Sequence, residues 1–260
     1  MTDATERFTA LVRAPDNEVA LDAGALLIAE HAHPQLDVDV RLAQLDALAD
    51  AVDDGTADAV AHALFTAAPA FAGNTVDYYD PANSYLDDVL DRRLGIPITL
   101  SVLMIEVGRR AGVALHGVGM PGHFLVGAGS GAYYDPFHGG GRLDAEGCAE
   151  LFATLHGSRE AFGVELLAPT RSRAVLDRML TNLQQTLLER QPAAAAWPTR
   201  LRLRFPDLPL ARRAELAGLL GRLGQFSEAA GELDRLAGEL SGGEAEQATR
   251  AAAQLRARAN

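Results

Sequence analysis

The 260-residue chain contains few of the residues that form covalent cross-links or soft metal sites. It has a single cysteine, Cys148, which excludes a disulfide framework and a cysteine-rich zinc site. It has no lysine, so all 23 of its basic side chains are arginines. No run of residues reaches the roughly 20 apolar positions of a membrane span, and the acidic N-terminus lacks the pattern of a signal peptide. We therefore expect a cytoplasmic protein without a membrane segment.

Charge is distributed unevenly along the chain, whose formal net charge is −12. Residues 1–170 hold 9 arginines and 25 acidic residues, a net of −16, whereas residues 171–260 hold 14 arginines and 10 acidic residues, a net of +4. The acidic part should repel nucleic acid, and no helix-turn-helix pattern is present. We expect no nucleic-acid partner. The mildly basic tail is either a contact surface for a protein partner or a solvated helical face.

Hydrophobic periodicity predicts helices at both ends of the chain and strands between them. Helical spacing is found over 18–31, 40–54, about 98–110, 174–191, 210–224 and 226–240. The short segments HGVGM, HFLVGA and AYYDPF are bounded by glycines and rich in β-branched or aromatic residues, as strands are. The pattern predicts an α+β protein with a helical N-terminal segment (1–72), a core with a small antiparallel sheet (73–168) and a helical C-terminal segment (169–260).

The stretch GMPGHFLVGAGSGAYYDPF (119–137) places a histidine before one predicted strand and an aspartate at the end of the next. In a hairpin whose turn is centred on Gly129, His123 and Asp135 lie directly opposite each other on one face. An aspartate in that position fixes the tautomer of the imidazole and stabilises its charged form, as in Ser-His-Asp and Cys-His-Asp sites. The alternative is a polar pair across two strands that performs no chemistry.

The segment GNTVDYYDPANSYLDDVLDRRLGIPITLSVLMIEVGRRAGVALHGVGMPGHFLV, followed by YYDPFHGG, resembles the bacterial transglutaminase-like family with C-terminal tetratricopeptide repeats. Members of that family are often labelled invasion-gene regulators, and a related domain occurs in a eukaryotic F-box protein. The resemblance is strongest over 70–145. It implies an α+β core similar to papain and transglutaminases, with a cysteine at a helix N-terminus and a His–Asp pair on adjacent strands.

The nucleophile is where this chain departs from transglutaminases. They carry Gly-x-Cys at the start of the predicted helix, whereas Pro97 stands at that position here, as the resemblance implies for the subfamily as a whole. Thr99 and Ser101 follow in the first helical turn, where a hydroxyl commonly caps the helix or bonds to a carbonyl. Cys148 lies beyond the strands, where a free cysteine is most often a small buried apolar residue. These three residues are the remaining candidate nucleophiles.

Two other constellations surround the hairpin. His116, His123, Asp135 and His138 fall within 23 residues, and two histidines with one carboxylate can hold a divalent metal. A metal site is therefore an alternative, although we expect no cofactor.

A second group of residues could wall a binding pocket beside His123. Its members are Asn74, Tyr79, Asn83, Pro97 and Thr99. A purely structural interpretation is also open, because asparagines suit turns and tyrosines suit the edge of a core.

These observations favour a non-catalytic or atypical transglutaminase-like protein with a ligand- or protein-binding role. The C-terminal helices would supply the partner surface, since Ala229, Leu233 and Leu236 follow a tight turn at Gly224 as in a tetratricopeptide unit. The alternatives are an active hydrolase or amide transferase that uses His123 and Asp135, and a scaffold in which only the tail matters. The sequence specifies no oligomeric state.

Overall fold

The computed structural model of the protein describes residues 3–129 and 131–259 and separates into two units, Met1–Met179 and Leu180–Asn260. The boundary between the units lies inside one helix. The helices that begin in the first unit are α1 (Ala4–Arg13), α2 (Leu21–Ala32), α3 (Val38–Asp50), α4 (Ala57–Phe65), α5 (Leu86–Arg92), α6 (Pro97–Arg110), α7 (Ala145–His156) and α8 (Ser172–Arg190). None of the described helices is long and apolar enough to cross a membrane.

Seven short strands complete the first unit. They are β1 (Ala72–Gly73), β2 (Leu94–Gly95), β3 (Leu115–Val118), β4 (Leu125–Ala128), β5 (Ala132–Asp135), β6 (Gly141–Leu143) and β7 (Pro169–Thr170). The last five form one antiparallel sheet in the order β6-β5-β4-β3-β7, while β1 and β2 form a separate parallel pair. The predicted α+β class and small antiparallel sheet are therefore confirmed.

Helix α6 occupies the centre of the first unit. It begins at Pro97, where the missing N–H costs nothing because the first helical N–H has no partner inside the helix. Every residue from Pro97 to Gly108 is buried, and the helix contacts α2, α3, α4, α5 and the strands β3 and β4. A Cβ added at Gly108 would lie 2.5 Å from Leu115 Cδ1, so glycine lets α6 approach β3 closely. A helix that is buried on all sides in this way forms the core of the unit.

The second unit consists of helices. After the end of α8 come α9 (Ala196–Arg202), α10 (Leu210–Arg222), α11 (Phe226–Glu239) and α12 (Gly242–Ala259). The connection between α10 and α11 contains Gly224 with φ +80°, a backbone conformation that glycine adopts without strain. Ala229, Leu233 and Leu236 are buried along one face of α11. The helices predicted for this part of the chain are confirmed, whereas the proposed domain boundaries at 72 and 168 stay predictions.

The close approach of β1 to the turn that follows β5 generates a stability prediction. A Cβ added at Gly73 would lie 2.5 Å from the backbone oxygen of Phe137 and 2.5 Å from its ring, and backbone cannot easily move away. We expect Gly73→Ala to lower the free energy of unfolding by about 1–3 kcal/mol, measured by urea denaturation. Gly55→Ala is the matched control, because nothing lies within 4 Å of its added Cβ. Equal stability of the two variants would contradict this packing.

Candidate functional site

The candidate site forms where β4 and β5 lie next to each other. His123 precedes the first residue of β4 by two positions, and Asp135 is the last residue of β5. The chain then forms a short 3₁₀ turn, Pro136–His138, in which Pro136 supplies a fixed φ at the first position. His123 and Asp135 are each 4% exposed. The fold thus buries both members of the predicted pair.

The two side chains meet, but the strand register differs from the predicted one. Ala128 pairs with Ala132 and Val126 with Tyr134. Each residue of β4 therefore pairs with a residue two positions further along the chain than in a hairpin centred on Gly129. Gly131, with φ +74°, lies immediately before β5 and supplies the left-handed position of the turn. A two-residue offset keeps side chains on the same face of a strand pair, whereas an offset of one would have separated them. The prediction that His123 and Asp135 are directly opposite was therefore wrong.

The carboxylate of Asp135 connects two histidines. His123 Nε2 lies 2.9 Å from Oδ1, and His138 Nδ1 lies 2.7 Å from Oδ2. Oδ1 also accepts the backbone N–H groups of Phe137 at 3.2 Å and His138 at 3.4 Å. Burial opposes ionisation of Asp135, but its hydrogen bonds to His123 and His138 outweigh burial and lower its pKa. Asp135 is therefore an ionised acceptor whose two oxygens both have partners.

Aromatic rings cover the imidazole of His123. The ring of His138 stacks on it with centroids 5.6 Å apart, and the ring of Phe137 meets it edge-on at 6.2 Å. The side chain of His138 is 56% exposed, so the outer histidine of the three-residue network faces solvent while the inner one does not. Any molecule that reached His123 from this side would have to displace these two rings.

Thr99 is fully buried and its hydroxyl has partners in the backbone. Oγ1 donates to the carbonyl of Asn83 at 2.7 Å and accepts the N–H of Ile96 at 3.1 Å. The second bond caps the start of α6, because Ile96 is the residue before its first turn. The side chain therefore connects the helix to the preceding segment of the chain.

Ser101 and Cys148 are also buried. Ser101 Oγ donates to the carbonyl of Phe124 at 3.4 Å. Cys148 lies on α7 in an apolar cluster that includes Val118 and Leu125. Burial, with smaller contributions from the Asp144 and Asp135 carboxylates, raises the pKa of the Cys148 thiol to about 11. Among the hydrogen bonds of residues 3–129 and 131–259, none joins a candidate nucleophile to His123.

Asn74 and Asn83, two of the residues predicted to wall a pocket, form hydrogen bonds within their own segment of the chain. Asn74 Nδ2 donates to Asn83 Oδ1 at 3.0 Å, and Asn74 Oδ1 accepts the N–H groups of Val76 and Asp77. Asn83 Nδ2 lies 2.8 Å from the carbonyl of Asp77 and 3.1 Å from that of Tyr78. The two side-chain amides thus hold residues 74–80 in place by hydrogen bonds within this segment.

That loop, which we call the aromatic loop (residues 74–80), exposes apolar surface beside the site. Val76 is 97% exposed, Tyr78 39% and Tyr79 53%. The ring of Tyr78 contacts the rings of Tyr79 at 5.2 Å and Phe137 at 5.8 Å, both edge-on. The structure therefore places Tyr79 on an open surface next to Tyr78, whose ring contacts Phe137, while Asn74, Asn83, Pro97 and Thr99 are buried.

Arg178, on α8, is a site residue that the sequence analysis did not identify. Its Nη2 donates to the carbonyls of Met120 at 2.9 Å and His123 at 2.6 Å, and its guanidinium lies over the ring of Phe124. Burial lowers the pKa of Arg178. These contacts hold the backbone of His123 in place. Because the bonds are made to backbone carbonyls 55 to 58 residues away in sequence, no motif could have indicated them.

Three of the four residues predicted as a metal site lie close together, and the fourth does not. Ligand atoms of His123, Asp135 and His138 lie within 4.8 Å of one another. His116 lies elsewhere, over the backbone of Gly127 in the middle of the sheet, where an added Cβ would lie 2.3 Å from its Nε2. Because both oxygens of Asp135 already accept hydrogen bonds, a metal here would have to break existing contacts.

Because Asp135 is ionised in the folded protein, we expect the stability of the protein to decrease at acidic pH. Because its pKa is lower in the folded protein than in the unfolded chain, the carboxylate contributes stability at neutral pH that is lost as the pH falls from about 5 through the lowered pKa. We expect Asp135→Asn to lower the unfolding free energy at pH 7 by about 1–3 kcal/mol and to flatten its decline between about pH 5 and 3. Urea unfolding across this pH range measures both effects. Asp53→Asn, at an exposed position, is the control; a wild-type pH profile in Asp135→Asn would refute the assignment.

Cys148 should be unreactive in the native protein. Since burial raises its thiol pKa to about 11, roughly a hundredfold less thiolate is present than for an ordinary cysteine at neutral pH. Alkylation by iodoacetamide at pH 7.5, followed by intact mass, should therefore be at least about a hundredfold slower than in urea. The chain has no other cysteine to confuse the measurement. A native rate equal to the unfolded rate would show that the thiol is exposed and activated.

Comparison with known proteins shows which family the chain belongs to. Residues 30–181 match the family model of the transglutaminase-like superfamily. A UPF0162 protein of Xylella fastidiosa is 36% identical over 242 residues, which cover 86% of this chain and 85% of that protein. The F-box only protein 21 of Mus musculus is 37% identical over 124 residues, which cover 44% of this chain and 19% of that protein. No solved structure matches the chain. The protein therefore belongs to the transglutaminase-like superfamily.

Proposed function

We propose that the protein is a non-catalytic member of the transglutaminase-like superfamily, in which His123 and Asp135 stabilise the site and the adjoining surface binds a ligand or a protein. One observation carries the proposal: the His–Asp pair is intact, but no candidate nucleophile among the described residues is hydrogen-bonded to it. A serine, threonine or cysteine nucleophile that a histidine activates lies within hydrogen-bond reach of that base.

Each candidate nucleophile has a different physical reason to be inactive. The hydroxyl of Thr99 donates to a backbone carbonyl and accepts a backbone N–H, so it would have to give up both bonds. Ser101 donates to the carbonyl of Phe124 from a fully buried position. Cys148 remains protonated because burial raises the pKa of its thiol. Pro97, which the family resemblance aligns with the catalytic cysteine, has no side chain that can attack a substrate.

The aromatic loop is the surface we assign to binding. Val76 and the two tyrosines form exposed apolar area adjacent to Phe137 and the half-exposed His138. Tyrosines combine an apolar ring with a hydrogen-bonding hydroxyl, and exposed apolar patches commonly mark interaction sites. The internal hydrogen bonds of Asn74 and Asn83 keep the loop ordered, so little conformational entropy would be lost on binding.

In this proposal the C-terminal helices form a second binding surface. This surface would bind a protein partner as tetratricopeptide repeats do. The α10–α11 hairpin places small and apolar residues at the helix contact, and Gly221 allows Leu255 to approach closely. Within this unit a groove of about 270 Å³ is lined by Arg200, Leu203, Arg204, Leu220, Ser227, Glu228, Gly231, Glu232 and Arg235. Its mixture of charges suits a polar peptide segment.

The segment that matches this chain is 19% of the mouse F-box protein, which agrees with use of the matched domain as one module among others.

Absence of turnover is the expected result of a direct assay. Wild-type protein, His123→Ala and Asp135→Asn should give the same background rates with ester, amide and glutamine-plus-amine substrates, because no activated nucleophile is available. Steady-state hydrolysis and amine incorporation measure these rates.

The same variants also report on the alternative function. An active hydrolase or amide transferase would show wild-type turnover that falls by about 10³-fold or more in His123→Ala and Asp135→Asn. That result would refute the proposal. Thermal unfolding of each variant, recorded in parallel, separates loss of activity from loss of fold.

A further inference from the structure

A second group of metal-ligating side chains lies where α2 ends beside the start of α5. His33 caps the C-terminus of α2 and its Nδ1 lies 2.6 Å from Asp87 Oδ2. Its Nε2 lies 3.7 Å from Asp88 Oδ2. One ligand atom from each residue can be chosen so that all three lie within 4.8 Å of one another. Ligand atoms that share one zinc ion lie roughly 3.5 Å apart, so small side-chain movements would bring these three to a common centre.

The carboxylate of Asp87 has an unused buried oxygen. Asp87 is 5% exposed, and its Oδ2 contacts His33. Its Oδ1 is buried without a hydrogen-bond partner among the described residues. A buried carboxylate oxygen with no donor is unfavourable, and a bound cation is one way to satisfy it. The His123–Asp135–His138 group differs in this respect, because both oxygens of its carboxylate accept hydrogen bonds.

Nearby arginines are paired with other carboxylates. Arg41 makes two hydrogen bonds to Asp91, at 2.5 and 2.7 Å, and Arg92 makes one to Asp80 at 2.7 Å. Asp87 and Asp88 are consecutive residues of the first turn of α5, so their like charges lie close together. Within the described part of the chain, His33 is the group with which both of them form ion pairs. Among the described residues, the direct ion-pair contacts to these two carboxylates therefore come from one imidazole, while Arg41 and Arg92 act on them only from a distance.

We propose that His33, Asp87 and Asp88 form a binding site for one divalent transition-metal ion of the zinc class. An imidazole and two carboxylates are hard-to-borderline ligands that suit Zn²⁺ or Mn²⁺, with water at the remaining positions. The side chains of His33 and Asp88 are 37% and 27% exposed, which gives the ion and its waters an approach from solvent. Asp87 is the buried anchor. Held by both oxygens of Asp87, the ion takes the place of the hydrogen-bonded proton between His33 and Oδ2, satisfies the buried Oδ1 and joins the end of α2 to α5.

Zinc titration of the full-length protein tests the site. Isothermal titration calorimetry with ZnCl₂ at pH 7.5 should give one ion per chain, with a rise in the thermal unfolding temperature at saturation. His33→Ala and the isosteric Asp87→Asn should each weaken zinc binding by at least about tenfold. Asp88→Asn changes a more exposed ligand and provides the same test if Asp87→Asn does not fold. X-ray absorption of the zinc-loaded protein should show nitrogen and oxygen ligands without sulfur.

Two control variants make the outcome specific. His62→Ala removes an exposed imidazole of α4 that belongs to neither histidine group and should leave zinc binding unchanged. His138→Ala removes a ligand of the other group and should also leave it unchanged. The proposal is overturned if wild-type protein binds no zinc. It is equally overturned if binding survives in His33→Ala and Asp87→Asn but is lost in His138→Ala.

Discussion

The first unit depends on the burial of one helix. Because α6 is buried from Pro97 to Gly108, the first helical turn lies beneath the candidate site with no solvent to satisfy its polar groups. Its two hydroxyls are satisfied by backbone carbonyls on either side: Thr99 bonds to Asn83, below the aromatic loop, and Ser101 bonds to Phe124, beside His123. Thr99 and Ser101, two of the candidate nucleophiles, therefore connect the helix to the two segments that form the site.

Asp135 has the corresponding role at the end of β5. Its single carboxylate receives hydrogen bonds from two imidazoles and two backbone N–H groups, which fix the path of the chain from the strand into the 3₁₀ turn. A transglutaminase-type site needs a histidine that is oriented on one side and free to take a proton on the other. Here the orientation is retained, while the rings of Phe137 and His138 cover the imidazole. This arrangement fits the stabilising role that we propose for the pair.

The sequence predicted the fold and the pair well, since both depend on local signals. Helical periodicity located α2, α6, α8, α10 and α11 to within a few residues, and glycine-bounded apolar runs located β3, β4 and β5. The register was missed because two glycines, Gly129 and Gly131, lie in the hairpin turn, and only the folded backbone shows that Gly131 takes the left-handed position. Arg178 was missed because its partners are backbone carbonyls distant in sequence. For the residues around the aromatic loop the sequence left a pocket wall and a purely structural role open, and only the folded chain shows that Asn74 is buried while Tyr79 is exposed.

The central claim is that no hydroxyl of this site is activated by His123. The most direct measurement is the intact mass of wild-type protein after incubation with a fluorophosphonate, which modifies a serine or threonine only when a neighbouring base activates it. We predict an unmodified chain. A single adduct on Ser101 or Thr99 that disappears in His123→Ala would contradict it and identify the protein as an enzyme.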